Sequence, residues 1–254
     1  MEVFYMALLL TILAGLSTTI GSMIAFFIKT PSKKFLSLIM GFSAGVMILI
    51  SFVELLQQGI EATSFLIGHI FFFSGMAIMF LIDILISHQY EFEEPPLSKN
   101  GENSNAKIKK TSLLVTMGIF IHNFPEGMAT FVATLRSIEL GLFLAFAIAL
   151  HNIPEGIAVA VPVYTATNSR KKAFKWSFLS GASEPVGALI VGLILYPFIN
   201  DFLIGALLAM VGGFMIYISL DELLPASQSL GSQHLPIVGI VLGMATMAFS
   251  LAIL

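Results

Sequence analysis

Eight apolar stretches, each twenty residues or longer, decide what this chain can fold into. They are Val3–Ile28, Phe35–Gln57, Ser64–Ser87, Thr111–Thr134, Leu140–Val163, Ala173–Phe198, Phe202–Leu224 and Leu235–Leu254. A helix needs about 20 apolar residues to cross a bilayer, and each run supplies them. Charged residues make up only 11% of the chain, well below the roughly one quarter of soluble domains. The expectation is an all-α integral membrane protein with eight transmembrane helices, forming a single polytopic domain over 1–254. The first run has no basic stretch before it and no small-residue cleavage pattern, so it reads as a retained helix rather than a signal peptide.

Positive charge fixes the expected orientation. Lys29, Lys33 and Lys34, then Lys99, Lys107, Lys109 and Lys110, then Arg170, Lys171, Lys172 and Lys175 all fall on one side, and Arg136 alone on the other. Basic loops stay in the cytoplasm, so both termini are expected to be extracytoplasmic. The long connection 89–110 holds Glu91, Glu93, Glu94, Pro95 and Pro96 and then a Ser/Asn/Lys stretch. That composition reads as a flexible, solvated cytoplasmic loop, with His88 at its start. There are no cysteines, which excludes disulfides, thiolate metal sites and cysteine nucleophiles.

Two of the apolar runs carry an expensive cargo. His122-Asn123-Phe124-Pro125-Glu126-Gly127 recurs as His151-Asn152-Ile153-Pro154-Glu155-Gly156. Ionisable groups in mid-membrane are costly and mark ion routes. On a helix His122 and Glu126 lie one turn apart, and Asn123 falls on the other side of the glutamate. Glu126 can therefore bridge two ions, one on the histidine side and one on the asparagine side. His151, Asn152 and Glu155 repeat the arrangement. Pro125 and Pro154 leave the carbonyls of Ile121 and Leu150 without a donor, so both helices are expected to kink beside the polar groups. Ser183-Glu184-Pro185 repeats the acid-beside-proline device in the sixth run and makes Glu184 a third contributor. In the first helix, Leu16-Ser17-Thr18-Thr19-Ile20-Gly21-Ser22 reads as hydroxyls bonding their own helix and small residues packing.

A second repeat pairs Gly45–Leu56 with Gly213–Leu224: glycine, methionine, both isoleucines, serine, glutamate and both leucines coincide. Helices two and seven run in opposite directions, as do four and five. The expected architecture is an inverted repeat, helices 1–3 against 6–8, with 4 and 5 as the central pair. Glu54 and Glu222 lie near predicted helix ends, where a carboxylate reaches water at little cost, and are candidate access gates.

The paired H-N-F-P-E-G and H-N-I-P-E-G, followed by S-E-P in the next helix, strongly resemble the ZIP family of divalent-metal transporters. The resemblance covers essentially the whole chain. It implies uptake of Zn²⁺ and other first-row divalent ions through the plasma (inner) membrane into the cytoplasm, by a homodimer, with the metal as substrate and no cofactor. Carried across by motif, His122, Glu126, His151 and Glu155 correspond to a first metal position. Asn123, Glu126, Asn152, Glu155 and Glu184 correspond to a second, with both glutamates bridging. Some relatives have an aspartate at the position of Asn152, and many have a histidine-rich third loop that this chain lacks. Imidazole and carboxylate suit Zn²⁺ and Fe²⁺ and tolerate Mn²⁺ and Co²⁺, whereas Cu²⁺ would be held too tightly for release. A nucleic-acid partner is not expected, nor is enzymatic activity. The alternative reading is an intramembrane metal-dependent hydrolase, but the H-E-x-x-H helix usual for such an enzyme is absent. A carrier for organic cations would need an aromatic cage, and no aromatic cluster accompanies the glutamates.

Overall fold

The computed structural model describes residues 2–27, 31–86, 121–230 and 234–253, and they are helical almost throughout, with no strand among them. His88, the 89–110 connection and the first part of the fourth apolar run, 111–120, lie outside the described residues. The helices are α1 (Glu2–Phe27), α2 (Lys33–Ala62), α3 (Phe65–Ile86), α4 (described over 121–136), α5 (Ile138–Thr167), α6 (Arg170–Phe198), α7 (Asp201–Ser229) and α8 (Leu235–Ile253). Apart from α4, described only in part, every one is long and apolar enough to cross a membrane. The protein is an all-α, multi-span membrane protein.

Short polar caps set the starts of these rods. Ser32, Ser137, Ser169 and Asn200 each accept a backbone N–H from the first turn of the following helix, satisfying donors that the helix itself leaves open. Ser137 is also the whole connection between α4 and α5, so the two motif-bearing helices form a tight antiparallel hairpin. Asn168 ends α5 in the left-handed region, at φ 49°, a conformation that asparagine tolerates better than most residues.

Helices approach one another most closely through glycine, and the close contacts fall into two groups. In the first, α1 meets α5 at Gly21 against the Ile153 carbonyl and at Gly156 against the Thr18 carbonyl. Likewise, α6 meets α4 at Gly187 against the Phe124 carbonyl and at Gly127 against the Glu184 carbonyl. In the second, α2 meets α8 at Gly45 against Ile240 and Gly243 against Phe42, while α7 meets α3 at Gly213 against Phe72 and Gly75 against Met210. Each of these contacts thus occurs twice, at matching positions. In hydrocarbon, where apolar surface gains little from burial, such small-residue approaches hold helices together. Between the two groups, α2 packs on α5, where the Ser43 hydroxyl donates to the His151 carbonyl at 3.2 Å.

Among the described residues, three helices contain a wider turn that hydropathy does not predict. A π-helical turn occupies Ser51–Leu55 in α2, Ser219–Leu223 in α7 and Val191–Leu195 in α6. The first two fall on the repeated segment. In each, the leading serine hydroxyl bonds back to a methionine carbonyl, Ser51 to Met47 at 2.6 Å and Ser219 to Met215 at 2.7 Å. Neither helix ends at its glutamate: α2 continues to Ala62 and α7 to Ser229. α5 remains helical through Pro154 and Pro162. In α6 the α-helical run is interrupted at Ala182, immediately before Ser183-Glu184-Pro185.

Candidate metal centre

The twin motifs lie side by side on the α4–α5 hairpin, close to the middle of α5, and Glu184 comes from the middle of α6. His122, Asn123, Glu126, His151, Asn152, Glu155 and Glu184 are all buried, none more than 3% exposed. Glu126, His151 and Glu155 bring one ligand atom each to within 4.8 Å of one another. His151 donates through Nδ1 to the Ala147 carbonyl one turn back, at 3.1 Å, which fixes the ring and aims Nε2 at Glu126 Oε1, 3.0 Å away. A bare nitrogen lone pair and a carboxylate oxygen repel at that distance. The contact calls for a proton on one of them or a cation between them.

Asn152 is held just as firmly. Its Nδ2 donates to the Ala14 carbonyl at 3.1 Å and to Glu184 Oε1 at 2.5 Å, tying α5 to α1 and α6. Several buried oxygens nevertheless have no hydrogen-bond partner among the described residues: Glu126 Oε2, both oxygens of Glu155, Glu184 Oε2, Asn152 Oδ1 and Asn123 Oδ1. Leaving a buried acceptor unpaired costs about 1–3 kcal/mol, and more for a charged one. Oxygens of this kind, gathered around an imidazole, form a donor set suited to a divalent cation.

His122 and the two candidate gates stand differently from the sequence reading. His122 Nε2 meets Glu222 Oε1 of α7 at 2.5 Å, and it is not in the compact Glu126–His151–Glu155 group. Glu222 is buried, at 3% exposure, so it does not reach water from a helix end as expected. The π turn and the continuation of α7 carry it into the interior. Glu54 is half-buried in its own π turn and accepts from Gln58 at 3.1 Å. Gln58 in turn accepts from Arg136 Nε at 3.1 Å, and Arg136 faces Asp201 at 3.5 Å. Asp83 of α3 accepts from the Tyr217 hydroxyl at 3.4 Å. The Thr18 and Thr19 hydroxyls, expected to bond their own helix, are instead buried without a partner among the described residues, and so is that of Ser180.

A bundle of apolar helices with imidazole, amide and carboxylate groups gathered around its middle is the build of a membrane protein that handles cations within the bilayer. Family comparison narrows that class. The chain belongs to the ZIP zinc transporter family, whose profile matches residues 85–251. It is 47% identical over 269 aligned positions to the zinc transporter ZupT of Chlorobium luteolum, with all of both chains covered. It is 46% identical over 267 positions to ZupT of Oceanobacillus iheyensis, again over all of both chains. Against ZupT of Campylobacter jejuni the identity is 44% over 284 positions, covering 100% of this chain and 98% of that one. The family consists of transporters, not enzymes.

Proposed function

We propose that this protein carries divalent metal ions across the inner membrane into the cytoplasm. Zn²⁺ is the preferred substrate, with Fe²⁺, Mn²⁺ and Co²⁺ as further ones. The observation that carries the reading is the buried Glu126–His151–Glu155 group, whose remaining carboxylate oxygens have no partner among the described residues. The relatives' shared name, zinc transporter, points to the same substrate. The site holds two ions, a first position of His122, Glu126, His151 and Glu155 and a second of Asn123, Glu126, Asn152, Glu155 and Glu184. Glu126 and Glu155 bridge them. For His122 to join the first position it must leave Glu222, which makes Glu222 the gate on that side, and Glu54 its counterpart on the other.

The frame is an inverted repeat, α1–α3 against α6–α8 around the α4–α5 pair. What supports it is the duplication at matching positions of the glycine contacts described above, between α1 and α5 as between α6 and α4 and between α2 and α8 as between α7 and α3, and of the serine-anchored π turns. Over an 18-residue apolar stretch of each helix, burial agrees for two of the three pairs, 44% in α1 and α6 and 22% in α3 and α8, whereas α2 at 61% and α7 at 78% differ. The chain works as one polytopic domain with both termini extracytoplasmic, in a homodimer, and the 89–110 connection is a cytoplasmic tether.

Uptake of radioactive Zn²⁺ by proteoliposomes tests the reading. The wild-type protein should load the vesicles, and Glu155→Ala, which removes a ligand shared by both positions, should abolish loading at equal protein content. Wild-type uptake by that variant would remove Glu155 from the route.

A further inference from the structure

We propose that Thr18 of α1 is a further cation-facing oxygen donor, acting with Asn123 on the side of the site opposite Glu184 and Asn152. The inference rests on the transport reading above and extends its ligand set to a helix that the sequence reading assigned to packing.

The argument begins where α1 and α6 cross. Gly15 and Gly181 face each other there, and a methyl group on either would strike the other's backbone carbonyl. Beyond that carbonyl, a methyl at Gly15 would lie 3.5 Å from Glu184 Cβ, and one at Gly181 would lie 3.2 Å from Thr18 Cβ. The backbone carbonyl of Glu184 packs on Gly127 of α4, and that of Thr18 packs on Gly156 of α5. Exchanging α1 with α6 and α4 with α5 therefore puts Thr18 in the place of Glu184. The same exchange puts Asn123 in the place of Asn152.

On one side of this exchange the polar groups are joined, because Asn152 donates to Glu184. On the other side they are not. The Thr18 hydroxyl and both amide atoms of Asn123 are buried without a partner among the described residues, and Thr18 and Asn123 are each 0% exposed. A mid-helix threonine ordinarily bonds back to the carbonyl one turn earlier. Here that carbonyl belongs to Ala14, and it already accepts from Asn152 at 3.1 Å and from Ser17 at 2.5 Å. The hydroxyl is thus diverted from its own helix. Threonine is also two heavy atoms shorter than glutamate, and no hydrogen bond joins Thr18 to Asn123 as one joins Glu184 to Asn152. Two neutral oxygens without a protein partner suit a divalent ion that keeps part of its water, and favour a harder ion such as Mn²⁺ over Zn²⁺.

Thr18→Val removes the hydroxyl at nearly constant volume, and Thr18→Ser keeps it. Thr11→Val is the control, since the buried Thr11 hydroxyl bonds the Ala7 carbonyl of its own helix at 2.8 Å. In proteoliposomes, Thr18→Val should raise the apparent KM for Mn²⁺ by roughly five- to tenfold, the scale of one neutral oxygen contact. It should change the KM for Zn²⁺ less and leave maximal flux and thermal midpoint unchanged. Thr18→Ser and Thr11→Val should match wild type. Mn²⁺ binding to the detergent-solubilised protein, followed by electron paramagnetic resonance, reads the same site without flux and should weaken in Thr18→Val alone. An unchanged KM and unchanged Mn²⁺ binding would overturn the assignment. So would equal losses for both metals together with a lowered thermal midpoint, which would make the hydroxyl structural. Failure of the wild-type protein to move any metal would instead count against the transport reading, and the resonance measurement would still decide on Thr18.

Discussion

Replacing Gly127 with alanine should damage the site without touching a ligand. An alanine methyl there would fall on the backbone carbonyl of Glu184. Backbone cannot swing aside as a side-chain tip can, and the methyl would lie far inside contact distance of that oxygen, so α4 and α6 must part by roughly 1.5 Å to regain ordinary contact. Overpacking of this kind costs about 1–3 kcal/mol, and the upper part of that range applies where backbone meets backbone. Exchanging glycine for alanine inside a helix returns about 1 kcal/mol. The net loss is therefore about 1–2 kcal/mol, and the displacement moves Glu184 relative to Glu126 and Asn152. A misplacement of ~1 Å can cost a catalytic centre about a hundredfold, and a site that must fit an ion should respond similarly. Gly156→Ala, which meets the Thr18 carbonyl, should behave alike. Gly212→Ala is the comparison. Its methyl would lie 3.2 Å from Leu55 Cβ and 3.3 Å from the Ser51 carbonyl, needs only a small adjustment, and should be neutral. The assay is Zn²⁺ uptake in proteoliposomes alongside thermal unfolding in detergent. Wild-type flux and thermal midpoint for Gly127→Ala would show that these helices do not rely on the glycine approach, and the packing argument would fail.

The remaining predictions concern single side chains. His151→Ala removes a nitrogen donor that Zn²⁺ favours and should depress Zn²⁺ uptake more than Mn²⁺ uptake, whereas Asn152→Ala should tilt the other way; equal losses for both metals in both variants would merge the two positions into one. For the His122–Glu222 contact, a double-mutant cycle with His122→Ala and Glu222→Ala, read by thermal unfolding, should give a coupling of about 1.5–3 kcal/mol, the range for hydrogen bonds to charged groups; strictly additive losses would show the contact to be incidental.

Much of this molecule was legible in the sequence because its constraints are one-dimensional. A bilayer demands runs of apolar residues, and Ser137 can only separate two antiparallel rods. The twin motifs and Glu184 announced themselves as charge where charge is costly, and the structure buries all of them, with Glu126, His151 and Glu155 brought together. What stayed hidden depends on rotation about the helix axis. An extra residue in a π turn swings the remainder of a helix by roughly 100° without altering its hydropathy. That is why Glu222, placed near water by a helical reading, is found against His122. The Ser51 and Ser219 back-bonds to Met47 and Met215 are the local trace of those turns, and residue type alone does not separate them from ordinary helical serines. The orphaned Thr18 hydroxyl was equally invisible, since it is orphaned by Asn152, a residue on another helix.

The differences between matching positions carry as much functional meaning as the likeness. A site with two identical halves would bind a substrate equally well when open to either side. Here the backbone contacts are duplicated, but the chemistry attached to them is not. Glu184 is matched by Thr18, and the buried Glu222 held to His122 is matched by Glu54, half-buried and held to Gln58. Beyond Gln58, the same network reaches Arg136 and Asp201 at the end of the bundle where the α4–α5 hairpin turns. Arg136 is the single basic residue expected on that side of the membrane, so its pairing with Asp201 lowers the repulsion an arriving divalent cation would meet. On the route proposed above, an ion at the other end would meet a histidine already engaged by a carboxylate, and would have to displace one contact to make another. Capture and release would then differ in affinity, because the matching positions present unlike ligands.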